Sequence, residues 1–368
     1  LNQARLGNYR LLELRERAAA AASLPPVELL DLRRLAIEDG LSHPLRTAIA
    51  ECLARGEQSL LFLNRRGFAP VWMCVECGFI VPCRRCDARL TYHRATARLI
   101  CHHCGAEAAV PVKCPACQGA RLHALGEGTE RVETALARHF ANARVLRIDR
   151  DTTRRKGALA AQLASVHAGE ADILVGTQML SKGHDFPNVT LVGVLNADQG
   201  LYSSDFRGPE RLFQQIVQVA GRAGRAARPG RVLIQTYHPE HPIFTALRAH
   251  DYLGFADYAL AERRAAGYPP FRHLALLRAE SPKSGAPLAF LRRAHTFARP
   301  APPTVELMEP VAAPMERRAG RYRAQLLVQA SARKPLHAFL DTWLARIWDS
   351  KEAKRVRWSI DVDPIDMY

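Results

Sequence analysis

The stretch VTLVGVL, residues 189–195, is a nearly unbroken apolar run, which is typical of a strand buried on both faces of a sheet. A helical pattern follows at 209–220, and a second apolar run follows at 231–236. The order strand, helix, strand predicts two parallel strands joined by a crossover helix. This part of the chain therefore predicts an α/β fold with a parallel sheet covered by helices.

The same alternation extends along most of the chain. Further strands are predicted at 59–63, 144–148 and 172–175, and further helices at 44–55, 129–140 and 157–167. The predicted regions are a linker at 1–26, an α/β domain at 27–238 with a cysteine-rich insertion at 71–123, a helical connector at 239–270 with one amphipathic stretch at 243–266, and an α+β domain at 271–368. We therefore expect one α/β domain that carries an insertion, followed by a small α+β domain.

The composition points to a polyanionic partner. Lys and Arg number 52 against 36 Asp and Glu, a formal charge of +16, which favours nucleic acid binding over an inert basic surface. At 48% hydrophobic residues the chain has enough apolar side chains for packed cores, which excludes a disordered tail. We find no run of about 18–20 apolar residues and no signal peptide pattern, so we expect a cytoplasmic protein without a membrane partner.

Eight of the nine cysteines form four C-x-x-C pairs. The pairs are Cys74/Cys77, Cys83/Cys86, Cys101/Cys104 and Cys114/Cys117. A C-x-x-C turn points two thiolates at one ion, and a tetrahedral structural zinc site needs two such turns. The pattern therefore predicts two structural Zn²⁺ ions, whereas a redox dithiol would need a single pair. Cys52 stands apart and is expected to be a core thiol.

Four pairs can combine in three ways, and the linker lengths favour a nested arrangement. The segment between Cys86 and Cys101 alternates like a hairpin, which would close an inner site. That inner site would consist of Cys83, Cys86, Cys101 and Cys104, and the outer site of Cys74, Cys77, Cys114 and Cys117. The outer pairs would then close the insertion at its base.

A second motif, QVAGRAGR at 218–225, follows the apolar pattern of the helix at 209–220. Arg222 and Arg225 are three residues apart, a spacing expected to place both on one helical face toward a triphosphate. Gly221 and Gly224 would let a phosphate or another backbone approach closely. A glycine- and arginine-rich surface loop is the alternative interpretation.

The strand-like stretch at 173–179 leads into a loop at 180–186, and loops that leave the carboxyl ends of parallel strands commonly bind ligands. In this order, the two motifs resemble motifs V and VI of superfamily 2 helicases. The match to one family is closer, because several blocks and the cysteine insertion occur together: the chain resembles the PriA family of replication restart helicases (primosomal protein N-prime). The blocks are LFLNRRGF at 61–68, GEGTERVE at 126–133, RIDRD at 147–151, HPEHP at 238–242, GRYR at 320–323 and DVDP at 361–364.

The resemblance implies a second RecA-like helicase lobe over 27–238 and supports the nested zinc pairing. It implies that Arg225 contacts the γ-phosphate of ATP, that Arg222 makes a second phosphate contact and that Gln218 lies at the nucleotide edge. Gly183, Asp185 and Gly221 would lie near the nucleotide, and Thr177 would face DNA. In the C-terminal domain, Arg317, Arg318, Arg321 and Arg323 around Gly320 would suit phosphate or an acidic peptide, and we expect Arg321 and Arg323 to contact DNA.

By the same resemblance, the expected activity is an ATP-dependent 3′–5′ DNA helicase that uses Mg²⁺ and restarts stalled replication forks. The expected partners are forked and single-stranded DNA, the C-terminal tail of the single-strand binding protein, and other primosome proteins. The chain contains no Gly-Lys and no Asp-Glu dipeptide, so it lacks a phosphate-binding loop and an acidic Mg²⁺ motif. We therefore expect the C-terminal part of a longer motor that is inactive alone; the alternative is a non-enzymatic zinc-ribbon DNA-binding module on a RecA-like scaffold.

Overall fold

The computed structural model describes residues 1–12, 24–63, 71–84, 89–93, 97–101, 105–125, 129–149, 152–153, 155, 157–180, 185–203, 205–224 and 228–367. The elements before the insertion are α1 (Asn2–Arg5), β1 (Val27–Asp31), β2 (Ile37–Glu38), β3 (Leu41–Ser42), α2 (His43–Ala54) and β4 (Gln58–Leu63). The insertion contains β5 (Val71–Cys74), β6 (Thr91–His93), β7 (Arg98–Ile100), β8 (Glu107–Ala109) and β9 (Leu122–Leu125).

The α/β domain continues with α3 (Thr129–His139), β10 (Val145–Ile148), α4 (Ala158–His167), β11 (Ile173–Gly176), β12 (Val189–Leu195), α5 (Gly208–Ala220), β13 (Arg231–Thr236), α6 (Pro242–Ala249) and α7 (Tyr252–Ala265). The C-terminal module contains β14 (His273–Ser281), α8 (Ala286–Phe297), β15 (Val305–Leu307), β16 (Val311–Arg318), β17 (Arg321–Ala330), α9 (Arg333–Trp348) and β18 (Arg357–Val362). Short 3-10 helices occupy Ala197–Gly200 and Ala353–Arg355.

A parallel sheet forms the centre of the α/β domain. Its strand order is β1-β13-β12-β4-β11-β10, and β12 lies between β4 and β13. Side chains alternate between two cores: Leu60 and Phe62 face the core under α5 and α6, whereas Leu61 and Leu63 face the core under α2 and α3. The predicted fold class, a parallel sheet with both faces covered, is confirmed.

The stretch at 243–266 differs from the single helix that its amphipathic pattern predicts. His250 adopts a left-handed conformation with φ of +53°, and Asp251 caps the next helix by accepting a hydrogen bond from the Gly254 amide at 2.8 Å. The side chains of α6, including Phe244 and Leu247, lie in the core of the α/β domain. The first part of the expected connector therefore packs as a layer of that domain.

The insertion is a small antiparallel sheet in the order β8-β7-β6-β5-β9. Its first strand β5 pairs with its last strand β9, from Val71 opposite Leu125 to Cys74 opposite Leu122. At its base, Val71, Met73 and Ile80 pack against Tyr237 of the α/β domain. The insertion therefore packs on the carboxyl edge of the parallel sheet, where β13 ends.

The C-terminal module has a sheet in the order β15-β17-β14-β18, with β16 paired to β17, and α8 and α9 on one face. Trp343 lies at the centre of that core, 1% exposed, and its indole donates a hydrogen bond to the Ala294 carbonyl at 2.8 Å. Part of the other face packs against Phe206 and Tyr268. The module therefore adjoins the α/β domain through the start of α5.

In the part of the chain that the structure describes, no helix combines the length and apolar character that a membrane span needs.

Candidate functional site

Four cysteines from the two ends of the insertion come together. The sulfur atoms of Cys74, Cys77, Cys114 and Cys117 all lie within 4.8 Å of one another. The Sγ atoms of Cys74 and Cys117 are 3.6 Å apart, and those of Cys77 and Cys114 are 3.7 Å apart. Tetrahedral zinc with Zn–S bonds of about 2.3 Å places its sulfurs about 3.8 Å apart, so this cluster fits zinc.

Local backbone turns aim these thiols. The Cys74 amide donates a hydrogen bond to the Phe79 carbonyl, and the Gly78 amide donates one to the Cys74 carbonyl at 2.9 Å. The same pair of hydrogen bonds recurs at Cys114, where the Cys114 amide donates to Gly119 at 2.8 Å and the Gln118 amide donates to the Cys114 carbonyl at 2.9 Å. Each turn ends in a left-handed residue, with φ of +75° at Gly78 and +61° at Gln118. The outer pairs are thus two matching knuckles that face one point.

The hydrogen bonds within the cluster prepare one thiol for ionisation. Burial opposes a negative charge at Cys114, but hydrogen bonds from the backbone amides of Cys117 and Ala116 and from the thiols of Cys117 and Cys77 together lower the pKa of Cys114 to about 7. Burial raises the pKa of Cys77 to about 12. The ion that such a cluster binds must therefore displace protons, as structural zinc does.

The inner site is partly described. Cys83 and Cys101 are buried together with Leu90 and Leu99, and Tyr92 pairs with Leu99 in the predicted hairpin of β6 and β7. Cys101 repeats the knuckle hydrogen bonds, because its amide donates to Ala106 at 2.8 Å and the Gly105 amide donates back to it at 2.9 Å. Cys86 and Cys104 lie outside the described residues. The arrangement is compatible with the nested pairing.

The arginine motif lies just beyond α5. That helix ends at Ala220, so Arg222 follows the helix within a turn. The Gly224 amide donates to the Val189 carbonyl at 3.0 Å, and Gly224 has a φ of +69°. An added Cβ there would collide with the backbone of Gly230, so this position requires glycine. Arg225 lies outside the described residues.

This placement corrects one expectation. Arg222 does not project from a helical face, because the chain leaves the helix before reaching it. The motif lies at the amino edge of the sheet, beside the start of β12. The reason is topological: a crossover helix returns the chain to the amino ends of parallel strands, so the residues after α5 arrive there.

Residues of the loop after β11 lie at two different edges of the parallel sheet. Asp185 is exposed and directly precedes Phe186, whose carbonyl accepts the Val189 amide at 3.1 Å. Asp185 and the segment 221–224 therefore both lie near Val189, at the amino end of β12. Thr177 follows β11 at the carboxyl edge, about 20 Å away given a strand rise of about 3.3 Å per residue. Gln218 is exposed in the last turn of α5, and Gly183 lies outside the described residues.

The carboxyl edge carries a polar group that the sequence did not reveal. Asp198 is 2% exposed; Thr236 donates a hydroxyl hydrogen bond to it and the Tyr237 amide donates at 2.8 Å. Burial raises the pKa of Asp198 to about 6. Asp198 thus fixes Tyr237, on which the insertion stands, and Gly78 approaches so closely that an added Cβ would lie 2.9 Å from the Tyr237 Cβ.

A second contact that the sequence did not reveal joins α5 to the end of the chain. Arg207 donates to the Pro364 carbonyl at 2.7 Å, and Arg211 donates to the Ile365 carbonyl at 2.6 Å. Arg211 also pairs with the buried Asp205 at 2.8 Å. The helix that leads to the arginine motif is therefore fixed at its other end to the C-terminal module. A sequence pattern cannot show this contact, because its partners are more than a hundred residues apart.

The C-terminal arginines flank a hairpin. Gly320, with φ of +78°, turns β16 into β17, where Arg318 pairs with Arg321 and Arg317 with Tyr322. Arg321 and Arg323 are half-buried and, two residues apart on one strand, lie on the same face of the sheet. Of the arginines around Gly320, Arg318, Arg321 and Arg323 therefore lie on the sheet face opposite the helices, whereas Arg317, opposite Tyr322, belongs to the other face.

Comparison with known proteins gives matches along the chain. Residues 264–365 match the primosomal protein N C-terminal domain, 83–108 match the Cys-rich region domain of PriA DNA helicase, and 118–227 match the helicase conserved C-terminal domain. The chain is 42% identical to replication restart protein PriA of Haemophilus influenzae over 100% of this chain and 50% of that protein. It is 41% identical to PriA of Bacillus subtilis over 99% of this chain and 46% of that protein. The chain thus spans about half the length of the curated relatives it matches.

Proposed function

Because the chain belongs to the PriA family of replication restart proteins and matches the C-terminal part of its relatives, we propose that it provides the second motor lobe, zinc insertion and C-terminal module of an ATP-dependent 3′–5′ DNA helicase. In the whole protein this motor would act on forked and single-stranded DNA, and would reload replication proteins at stalled forks. Its partners would be the single-strand binding protein tail and other primosome proteins.

The observation that carries the proposal is that Asp185 and residues 221–224 both lie beside Val189, at the amino end of β12. Two stretches far apart in sequence thereby form one surface, and the left-handed Gly224 holds the turn against the neighbouring backbone. In the proposed role, Arg225 contacts the γ-phosphate and Arg222 contacts a second phosphate. Gln218, Gly183 and Gly221 border the nucleotide. Planar guanidinium groups suit this task because they stabilise charge on a transferring phosphoryl group.

ATP and Mg²⁺ would be held mainly by another part of the whole protein. The chain has no Gly-Lys dipeptide for a phosphate-binding loop and no Asp-Glu dipeptide for an acidic Mg²⁺ motif. What this chain contributes is positive charge aimed at the phosphates from the opposite side. The 368-residue chain by itself is therefore expected to release no phosphate from ATP in the presence of DNA, and DNA-stimulated release would contradict this assignment.

Zinc would act as a crosslink in this function, since a site with four protein thiolates leaves no position for substrate. The two outer knuckles join the beginning and the end of the insertion, so one ion would fix its base against the carboxyl edge of the lobe. Thr177 lies at that same edge and is proposed to face DNA. Arg321 and Arg323 would contact DNA from the C-terminal module.

The test uses the full-length protein and measures DNA-stimulated ATP hydrolysis. We expect Arg225→Ala to lower kcat by about a thousandfold or more, as for other arginine fingers, and Arg222→Ala to lower it less. Arg231→Ala is the matched control, because this nearby arginine pairs with Glu51 on the surface and should leave turnover unchanged. If Arg225→Ala retained wild-type turnover, the lobe would be a scaffold and the chain a DNA-binding module.

A further inference from the structure

Helix α5 joins the two edges of the parallel sheet. It follows the 3-10 helix at Ala197–Gly200, at the carboxyl edge, and ends at Ala220, within the arginine motif at the amino edge. Its 13 residues span about 20 Å, given a rise of about 1.5 Å per residue. Beyond Pro209 the helix contains neither glycine nor proline, which are the usual causes of a bend. A displacement at the start of α5 therefore reaches the arginine motif.

Two arginines at the start of α5 hold a segment of the C-terminal module. Arg207 donates hydrogen bonds to the Pro364 carbonyl at 2.7 Å and to the Ile365 carbonyl at 3.4 Å. Arg211, one turn further along, donates to the Ile365 carbonyl at 2.6 Å and pairs with Asp366 at 2.8 Å. These bonds join the start of the helix to three consecutive residues.

The segment that the two arginines hold is anchored in the module. Arg278 of β14 donates a hydrogen bond to the Asp366 carbonyl. Met367 is 7% exposed, and its side chain packs in one cluster with Leu274 and Leu276 of the same strand. The segment is therefore fixed to β14, and a movement of the module carries it along.

The two arginines differ in what they would leave behind. The Arg207 guanidinium lies 4.3 Å from the centroid of the Phe206 ring and forms no ion pair among the described residues. Arg211 also pairs with Asp205 at 2.8 Å, and the Asp205 side chain is fully buried. Loss of Arg211 would leave that carboxylate without its partner, at a large cost in stability. Loss of Arg207 removes the hold on the segment without stranding a buried charge.

The rest of α5 is held by contacts that have no preferred direction. Leu212, Phe213, Ile216 and Val219 are buried in the core on one face of the parallel sheet. Apolar burial is non-directional, and packed helices can slide by small amounts. Hydrogen bonds and ion pairs require a defined distance and angle. The arginines at its start therefore select one position of α5 among those that the core tolerates.

We propose that Arg207 and Arg211 are positioning residues for the arginine motif, so that the C-terminal module sets the place of Arg222 and Arg225 through α5. The inference rests on the proposed function, because the motif acts on phosphate only if the lobe belongs to an ATP-driven motor. Arg207 and Arg211 lie near the opposite end of the helix, so they act through α5 rather than on the nucleotide. A misplacement of about 1 Å at the motif is enough to slow the reaction strongly.

The first test uses the full-length protein and measures DNA-stimulated ATP hydrolysis. Arg207→Ala should lower kcat about ten- to one-hundred-fold and leave the KM for ATP unchanged, because a misplaced motif weakens contacts made in the transition state. Arg207→Lys should retain most of the turnover, since a single nitrogen of Arg207 makes both carbonyl bonds and one ammonium group can replace it. Arg346→Ala is the matched control: it removes an arginine bond to the Phe297 carbonyl inside the module and should leave kcat unchanged.

A double variant separates positioning from a merely structural role. If Arg207 acts through the motif, adding Arg207→Ala to Arg225→Ala should lower kcat much less than Arg207→Ala does in the wild type, because one group that it positions is already gone. Two losses that multiply as independent effects would overturn the proposal.

The second test needs no ATP and uses the 368-residue chain. It measures hydrogen exchange of the amides of residues 222–224, which donate to the carbonyls of Val219, Ala220 and Val189. Arg207→Ala should speed exchange at these amides, and Arg346→Ala should not. The amides of α2, on the other face of the sheet, should exchange at the wild-type rate, which would exclude a general loss of stability. Unchanged exchange at 222–224 would overturn the proposal.

The results distinguish two kinds of failure. Wild-type turnover in Arg207→Ala, together with the expected loss in Arg225→Ala, would overturn this inference and leave the proposed function standing. A raised KM for ATP with an unchanged kcat in Arg207→Ala would also overturn it. Wild-type turnover in Arg225→Ala would instead remove the proposed function, and the exchange at 222–224 would then decide by itself whether the module positions the motif.

Discussion

The zinc insertion and the C-terminal module both lie outside the parallel sheet, yet different interactions stabilise the fold of each. In the insertion, apolar side chains form only small clusters around Met73 and Leu99, while cysteines from its two ends converge at its base. In the module, two helices bury a continuous core around Trp343 and Leu326. Small domains that cannot bury enough apolar surface need metal or disulfide crosslinks, and the insertion is such a case. The comparison predicts that each region fails under a treatment that the other survives.

Metal removal should produce the largest effect, because structural zinc can contribute about 10–16 kcal/mol to a small fold. After chelation, we expect the backbone amides of β5 and β9 to lose protection from hydrogen exchange, whereas those of β14 and β17 keep it. Metal analysis of the dialysed protein should give two zinc ions per chain. Cys52→Ser should leave that stoichiometry unchanged, because Cys52 is buried under the parallel sheet away from the cluster. Full protection of β5 in the metal-free protein would refute the cysteine argument.

The reverse experiment removes the centre of the module core. Trp343→Ala should lower the free energy of unfolding of the C-terminal module by about 3–5 kcal/mol, because it leaves a large cavity and an unpaired Ala294 carbonyl. The measurement is denaturant unfolding followed by hydrogen exchange in β17, and zinc content should stay at the wild-type level. Trp348→Ala is the matched control, since that ring is mostly exposed and its loss should change stability little. A loss of zinc from Trp343→Ala would show that the two regions do not fold separately.

Local patterns predicted the elements and spacings well, and long-range placement poorly. The apolar runs at 189–195 and 231–236 became β12 and β13 with the predicted bounds, because a buried strand needs continuous apolar residues. The C-x-x-C spacing predicted the knuckles because a knuckle is made within a few residues. The break at His250 was missed because neither glycine nor proline marks it. The edge on which Arg222 lies follows from the path of the whole chain, and the bonds of Asp198 to Thr236 and Tyr237 join residues about forty positions apart.

A smaller effect on stability should come from the contact between Gly78 of the insertion and Tyr237 of the α/β domain. Gly78 and Gly285 both have φ of +75°, but an added Cβ at Gly78 would lie 2.9 Å from the Tyr237 Cβ, whereas at Gly285 it would meet nothing within 4 Å. Gly285→Ala therefore measures the backbone term alone, about 1–2 kcal/mol. Gly78→Ala should cost about 1–3 kcal/mol more, because the two regions must separate.

The measurement for this pair is the thermal midpoint, together with the hydrogen exchange of Met73 and Ile80. Gly78→Ala should speed exchange at these two residues, and Gly285→Ala should not. Equal destabilisation by the two substitutions would show that the insertion moves freely on the lobe and that its fold depends on the metal alone.

The smallest predicted effect is a pH dependence of the unfolding free energy, caused by Asp198, which binds Tyr237 at the base of the insertion. In the folded protein, burial raises the pKa of Asp198 to about 6, above its unfolded value, so the folded state holds the proton more tightly. Stability from this group is therefore greatest at low pH and is lost as the pH rises through about 6, by about 1 kcal/mol between pH 5 and 7.5. Asp198→Asn should remove this slope, measured as unfolding free energy against pH. The asparagine amide also changes the hydrogen bonding of this group. That change alters the unfolding free energy by the same amount at pH 5 and at pH 7.5, so it does not affect the slope that is compared. Equal slopes in the two proteins would mean that Asp198 is ionised throughout, and that the Thr236 hydroxyl and the Tyr237 amide fully compensate its burial.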